Sequence, residues 1–235
     1  MTVVRLAVVM LIAFVVAVPA GIPSHAEALL IGSQGSAASP GADGGVETNA
    51  PTTQAPGTGG VLLPPGPLNP TTLPITKNPL WTGPEPGTSW VSPFANSGTT
   101  NTSVPNNTVI DFRETFTLAP GTWTGTLLVH ADDSTSVYID GALRMAEASS
   151  TNNNYTVCSD LTIGCLAVNQ GSFSVTLGGG THTFDFLTAQ RANDVFGLNY
   201  AANLTQVPEP GTILLLGSGL IGLGAALRRR GSRQD

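Results

Sequence analysis

Residues 127–141 read LLVHADDSTSVYIDG, and this stretch decides the fold. Leu127, Val129 and Ala131 occupy every second position, with Leu128, His130 and Asp132 between them. Successive side chains leave a strand on opposite faces, so a period of two predicts a strand with one face in a core. Val137 and Ile139 resume the pattern after Asp132-Asp133. Asp140-Gly141 then reads as a hairpin turn, because both residues tolerate positive φ.

The same period runs outward in both directions. Ile110, Phe112, Phe116 and Leu118 share one face, with Glu114 as the polar member of the row. Phe173, Val175 and Leu177 alternate with Ser172, Ser174 and Thr176. His182, Phe184 and Phe186 form another row, and Phe196, Leu198 and Tyr200 the next. Pro120-Gly121, Asn152 to Asn154 and Gly178 to Gly180 supply turns between them. No segment of helical period competes. The expected fold is all-β, a jelly-roll-type β-sandwich over residues 80–206.

Only 10% of the 235 residues are charged, against about a quarter in an ordinary soluble chain. The composition excludes a coiled coil, a helical bundle and a basic nucleic-acid binder. Long apolar runs occur only at the two ends, which excludes a polytopic membrane protein. Between residues 27 and 210 stand four cations and fourteen acids, a net charge of −10. Such a surface repels nucleic acid, so no nucleic-acid partner is expected. From Ile31 to Ile75, 17 of 45 residues are Gly or Pro. That density predicts a disordered N-terminal linker over 27–79.

The ends read as addresses. Arg5, the 13-residue apolar run Leu6 to Val18 and the small residues flanking His25 form a secretory signal peptide over 1–26, cut after Ala26. Export through the Sec machinery follows from it. At the other end Val207-Pro208-Glu209-Pro210 precedes 17 uncharged residues, 211–227, and then Arg228, Arg229, Arg230 and Arg233. As a helix the apolar run is about 25 Å long, the short end of a bilayer core. It is expected to be a single C-terminal transmembrane helix, with the arginines on the cytoplasmic side.

Those three parts in order resemble the PEP-CTERM sorting signal, over 207–235. The resemblance implies an exosortase as partner, with processing near Pro-Glu-Pro. It also implies transient anchoring in the inner membrane of a Gram-negative bacterium, then delivery to the cell surface or extracellular matrix. The central stretch is similar to the protective-antigen-like (PA-fourteen) lectin domain. There the strand ending in Asp-Asp and the following Val-Tyr-Ile-Asp-Gly carry the likeness, with Gly180-Thr181-His182-Thr183-Phe184 as a later strand. That likeness implies sugar binding, in some members through calcium.

Asp132 and Asp133 are the candidate metal ligands. Adjacent carboxylates repel, so a loop that holds both supplies a cation or hydrogen-bond donors. Calcium, with six to eight oxygen ligands, is one reading, with Asn152 to Asn154 and Asp194 as further ligands. A solvated turn is the other. Cys158 and Cys165 are expected to form a disulfide, as export favours. His182 shares a row with Phe184 and Phe186 and reads as a core histidine, and neither His130 with Asp132 nor His182 with Asp185 belongs to a catalytic motif. Asp111 and Glu114 lie on opposite faces of one strand, which argues against a glycosidase pair. No nucleophile elbow, zinc-binding His pair or phosphate-binding loop is present, so no catalytic residue is assigned and no enzyme is expected. The function expected is polysaccharide binding by an exported, exosortase-processed surface or matrix protein. A purely structural matrix component is the alternative, and a glycan-active enzyme the third reading.

Overall fold

The computed structural model describes residues 27–35, 46–51, 72–99, 104, 108–147, 158–191, 194–207 and 217–222. In chain order the strands are β1 (Ala28–Gly32), β2 (Val46–Pro51), β3 (Leu73–Pro74), β4 (Val91–Ser92), β5 (Thr108–Leu118) and β6 (Thr122–Asp132). They continue as β7 (Ser134–Ile139), β8 (Ala142–Met145), β9 (Gly171–Leu177), β10 (Gly180–Gln190) and β11 (Gly197–Val207). They form two antiparallel sheets. The first has the order β3-β4-β11-β6-β9, with β1 also paired to β11; the second has the order β2-β5-β10-β7-β8. From β5 onward the chain changes sheet at every connection except β7 to β8. The hairpin turns fall where the glycines allow them. Asp140 and Gly141, at φ 51° and 76°, close the β7–β8 turn.

The predicted rows meet in one core. Ile110, Phe112, Phe116 and Leu118 of β5 join Phe184 and Phe186 of β10 and Val137 and Ile139 of β7. The first sheet contributes Leu127, Val129 and Ala131 of β6, Leu198, Tyr200, Ala202 and Leu204 of β11, and Val175 and Leu177 of β9. Phe186 stacks on Tyr200 across the gap, with ring centroids 4.2 Å apart. Glu114, the polar member of its row, is buried and accepts a 3.0 Å bond from the Tyr200 hydroxyl. A buried carboxylate needs such a donor.

Two boundaries differ from the sequence expectation. The span 27–79 is not linker throughout, and the sandwich begins well before residue 80. Strand β1 pairs with β11 from Ala28 opposite Thr205 to Gly32 opposite Ala201, and Ile31 is fully buried. Strand β2 pairs with β5 from Val46 opposite Thr115 to Pro51 opposite Ile110. Both additions make backbone pairing, which asks little of composition, and β1 also places Ile31 in the core. His182 also differs from its reading as a core residue. It sits at the rim, bonded to Asp140 at 2.8 Å and to the Gly178 carbonyl at 3.0 Å.

Residues 217–222 are helical. Among the described residues no helix is long and apolar enough to cross a membrane. The expected signal peptide and most of the expected helix 211–227 lie outside the described residues.

Candidate functional site

The Asp132–Asp133 pair stands where β6 hands over to β7, and the peptide between the two is cis. Both side chains are buried, so the solvated-turn reading does not hold. Asp132 Oδ2 accepts the Trp81 indole N–H at 2.6 Å. Asp133 Oδ2 accepts the Arg191 backbone N–H. Burial, and then the neighbouring Asp133 carboxylate, hold the Asp132 carboxyl well above the usual carboxylate range. Among the described residues no three His, Cys, Asp or Glu side chains converge as a metal site. One oxygen of each carboxylate is already engaged by an N–H donor, whereas calcium asks for a shell of oxygens. Asp194 acts on Asp132 through its charge, and Asn152 to Asn154 lie outside the described residues.

Beside this pair, the outer face of the first sheet is roofed by two loops. Trp81 and Trp90, 4.3 Å between ring centroids, pack with the Cys158–Cys165 disulfide, Ile75, Leu166 and Val195. The expected disulfide is therefore present, with its Cα atoms 5.7 Å apart. Closing a loop of this size contributes about 2.5 kcal/mol in the chain-entropy account. Under the roof His130 is buried. Its Nδ1 lies 3.2 Å from the Gly164 carbonyl and its Nε2 3.1 Å from Gln170 Nε2, which also donates to Glu85 at 2.6 Å. Burial lowers the His130 pKa, so the ring is neutral. A neutral ring donating from Nδ1 and accepting at Nε2 satisfies every member of this chain. It is a filled structural network, with Glu85 and Gln170 at its half-buried rim.

The outer face of the second sheet is different. Alternation turns Asp111 and Arg113 of β5, Asp185 and Leu187 of β10 and Tyr138 of β7 away from the core. The register sets Asp185 opposite both Arg113 and Tyr138, and Leu187 opposite Asp111. With Gly141 these residues line an open hollow of about 150 Å³. Arg113 Nε donates to Asp185 at 2.5 Å, and its Nη2 stands 3.6 Å from Asp111. The guanidinium is half exposed and retains N–H groups for a ligand. Asp111 is pushed up to about 6, chiefly by burial and then by Asp185, against the opposing pull of Arg113. The sequence reading named Asp111 only as half of a rejected pair. It did not see Arg113, Tyr138 and Asp185 as neighbours, because their register across three strands is not written in any local pattern.

Asp111 also sets a pH dependence. Its folded pKa exceeds the unfolded value near 3.9. Between about pH 4 and 6 the folded chain therefore binds the extra proton, and stability falls as pH rises through that window. Asp111→Asn should raise the melting temperature by a few degrees at pH 7 and leave it unchanged at pH 4. Equal melting of the two proteins at pH 7 would contradict this assignment.

Residues 206–230 match the PEP-CTERM protein-sorting motif. The matched stretch takes in Val207, Pro208, Glu209, Pro210 and Arg228 to Arg230. The motif marks an exported protein of Gram-negative type with a sorting signal read by an exosortase. No curated protein matches the chain. Among solved structures, a family 35 carbohydrate binding module from Clostridium thermocellum is similar. The identity is 10% over 73% of this chain and 96% of that one, with a TM-score of 0.33. The Podospora anserina GH26-CBM35 β-(1,4)-mannanase is 13% identical over 70% of this chain and 28% of its own, with a TM-score of 0.30. CBM35 from Paenibacillus barcinonensis is 10% identical over 68% of this chain and 96% of its own, with a TM-score of 0.26. Likeness at these scores fixes neither ligand nor activity.

Proposed function

We propose that the chain is exported and cut at its sorting signal by an exosortase, and that it stays at the cell surface or in the extracellular matrix and binds polysaccharide there. The binding surface is the outward hollow of Asp111, Arg113, Tyr138 and Asp185. The observation that carries this reading is the half-exposed Arg113 guanidinium, held between Asp185 and Asp111 in an outward hollow beside Tyr138. Sugar hydroxyls both donate and accept, so they pair with carboxylate oxygens and with the spare N–H groups of Arg113. Tyr138, packed on the buried Leu187, offers its ring to the C–H face of a sugar. Binding is favoured over catalysis, because Glu114 faces the core on the opposite side of the same strand. Calcium enters no step of this reading.

Retention of the full-length secreted protein on immobilised matrix polysaccharide tests it. Asp185→Ala and Tyr138→Ala should each weaken binding about tenfold, equivalent to about 1.4 kcal/mol. Unchanged retention of both variants would remove the hollow as the site. Absence of any retention by the wild type would leave the scaffold reading in its place.

A further inference from the structure

We infer that the end of β11 is a latch on the sorting step: the residues just ahead of the Pro-Glu-Pro triplet must leave the sheet before the processing enzyme can hold them, so the fold sets how fast the chain is cut. This rests on the exosortase reading above. The support is an overlap. The sorting motif matches residues 206–230, and β11 runs from Gly197 to Val207. Gln206 and Val207 therefore belong to both.

Both residues are tied into the sandwich. The Gln206 N–H donates to the Glu27 carbonyl at 2.8 Å, and its side-chain Nε2 donates to the Pro120 carbonyl at 2.8 Å. Gln206 lies opposite Trp123 of β6, and Val207 opposite Thr122. On the other side β1 sets Ala28 opposite Thr205 and Leu29 opposite Leu204. Up to Gln206 the strand thus has a neighbour on each side. Leu204 is buried in the core, whereas Val207 is 42% exposed.

An enzyme that reads an extended peptide pairs with its backbone N–H and C=O groups. In a strand with neighbours on both sides those groups are already used. The same residues cannot serve the sheet and the enzyme at once. Fraying resolves the competition, because strand ends open at far lower free energy than the whole domain. Val207 opens first, and each residue further in is held harder, up to Leu204 in the core. Folding therefore slows the cut without blocking it. The restraint comes from residues remote in sequence: Glu27, Ala28 and Leu29 of the β1 end, and Pro120 to Trp123 where β6 begins.

Pulse-labelling of the full chain in its native host, with conversion of precursor to released product followed over time, tests the latch with two variants. In the first, Gly-Ser-Gly-Ser-Gln-Val is inserted between Val207 and Pro208. Strand β11 stays whole, and the triplet gains an unpaired copy of the Gln-Val that precedes it. Conversion should run about fivefold faster than wild type, the order set by sparing one or two net hydrogen bonds. In the second, Ala28→Cys with Thr205→Cys staples the strand end. The Gln206–Glu27 bond makes the adjoining Ala28–Thr205 pair the non-hydrogen-bonded kind, whose side chains stand closest, and both residues are exposed. The staple should slow conversion about tenfold relative to either single variant, since the frayed states that free Thr205 are lost. An unchanged rate in the insertion variant overturns the latch and leaves the exosortase reading standing. Faster conversion there without slowing in the staple also overturns it, because reach alone then explains the gain. Two free thiols in the staple overturn the pairing on which the latch depends. A wild-type chain that is never converted overturns the exosortase reading itself.

Discussion

Glu147→Leu will cost the sandwich about 3–5 kcal/mol, the usual penalty for stranding one member of a buried ion pair. Glu147 is wholly buried, and Arg191 retains 9% of its side-chain exposure. The pair is bidentate, with Arg191 Nε donating to Glu147 Oε1 at 2.9 Å and Nη2 to Oε2 at 2.8 Å. Ser134 Oγ also donates to Glu147, and Ser136 Oγ accepts its backbone N–H at 3.0 Å. Even so, the Glu147 carboxyl lies above its ordinary range, because burial outweighs Arg191 and Ser134. Desolvation therefore exceeds attraction, so the pair is costly to break and not costly to replace. The double change Glu147→Leu with Arg191→Met should regain most of the loss. Denaturant midpoints of the two single variants, the double variant and wild type decide the matter. A single-variant loss under about 1 kcal/mol would show that water reaches the pair.

Replacing Pro208, Glu209 and Pro210 with Ala will hold the protein in the envelope fraction and cut release to the medium more than tenfold. The triplet lies inside the matched sorting motif and directly follows the last residue of β11. Each proline fixes its own φ, and the residue before a proline is driven to extended backbone. A helix is disfavoured through such a sequence, which suits recognition by a peptidase. Three alanines remove that barrier, and the following apolar stretch is free to continue its helix towards Val207. Immunoblots of medium and envelope from the native host separate the outcomes. Release at the wild-type level would show that the triplet is not what the processing enzyme reads.

The core strands were legible because their alternation is unbroken. Phe112, Phe116, Phe184, Phe186 and Tyr200 each fall on the face that period two assigns them. Strand β1 was not legible, because Ala28 to Gly32 directly follows the apolar leader and its partner lies at the far end of the chain. Composition concealed β2, since a Gly/Pro-rich window masks a short segment that pairs with β5. The Asp132–Asp133 pair was read as a metal site or a surface turn. Two acids at a strand end do not disclose the roof of Trp81 that buries them. The outward hollow was invisible for a further reason: Arg113 and Asp185 are 72 positions apart, and only the β5–β10 register joins them.

Strand β1 and the end of β11 lie side by side, with Ala28 opposite Thr205 and the Gln206 N–H bonded to the Glu27 carbonyl at 2.8 Å. The first strand of the sandwich is thus paired to the last, and that fixes an order of events during export. Residues 27–32 emerge early and must wait, unpaired, until residues 201–206 have crossed. Contacts this distant in sequence form late, since the loop they close is the longest in the domain. An apolar segment left waiting invites wrong partners, so export has most to protect in the first few residues of the sandwich. Once closed, both ends leave the sandwich at one pole. A domain held by a C-terminal anchor would then carry its N-terminus against the membrane and turn its opposite end outward.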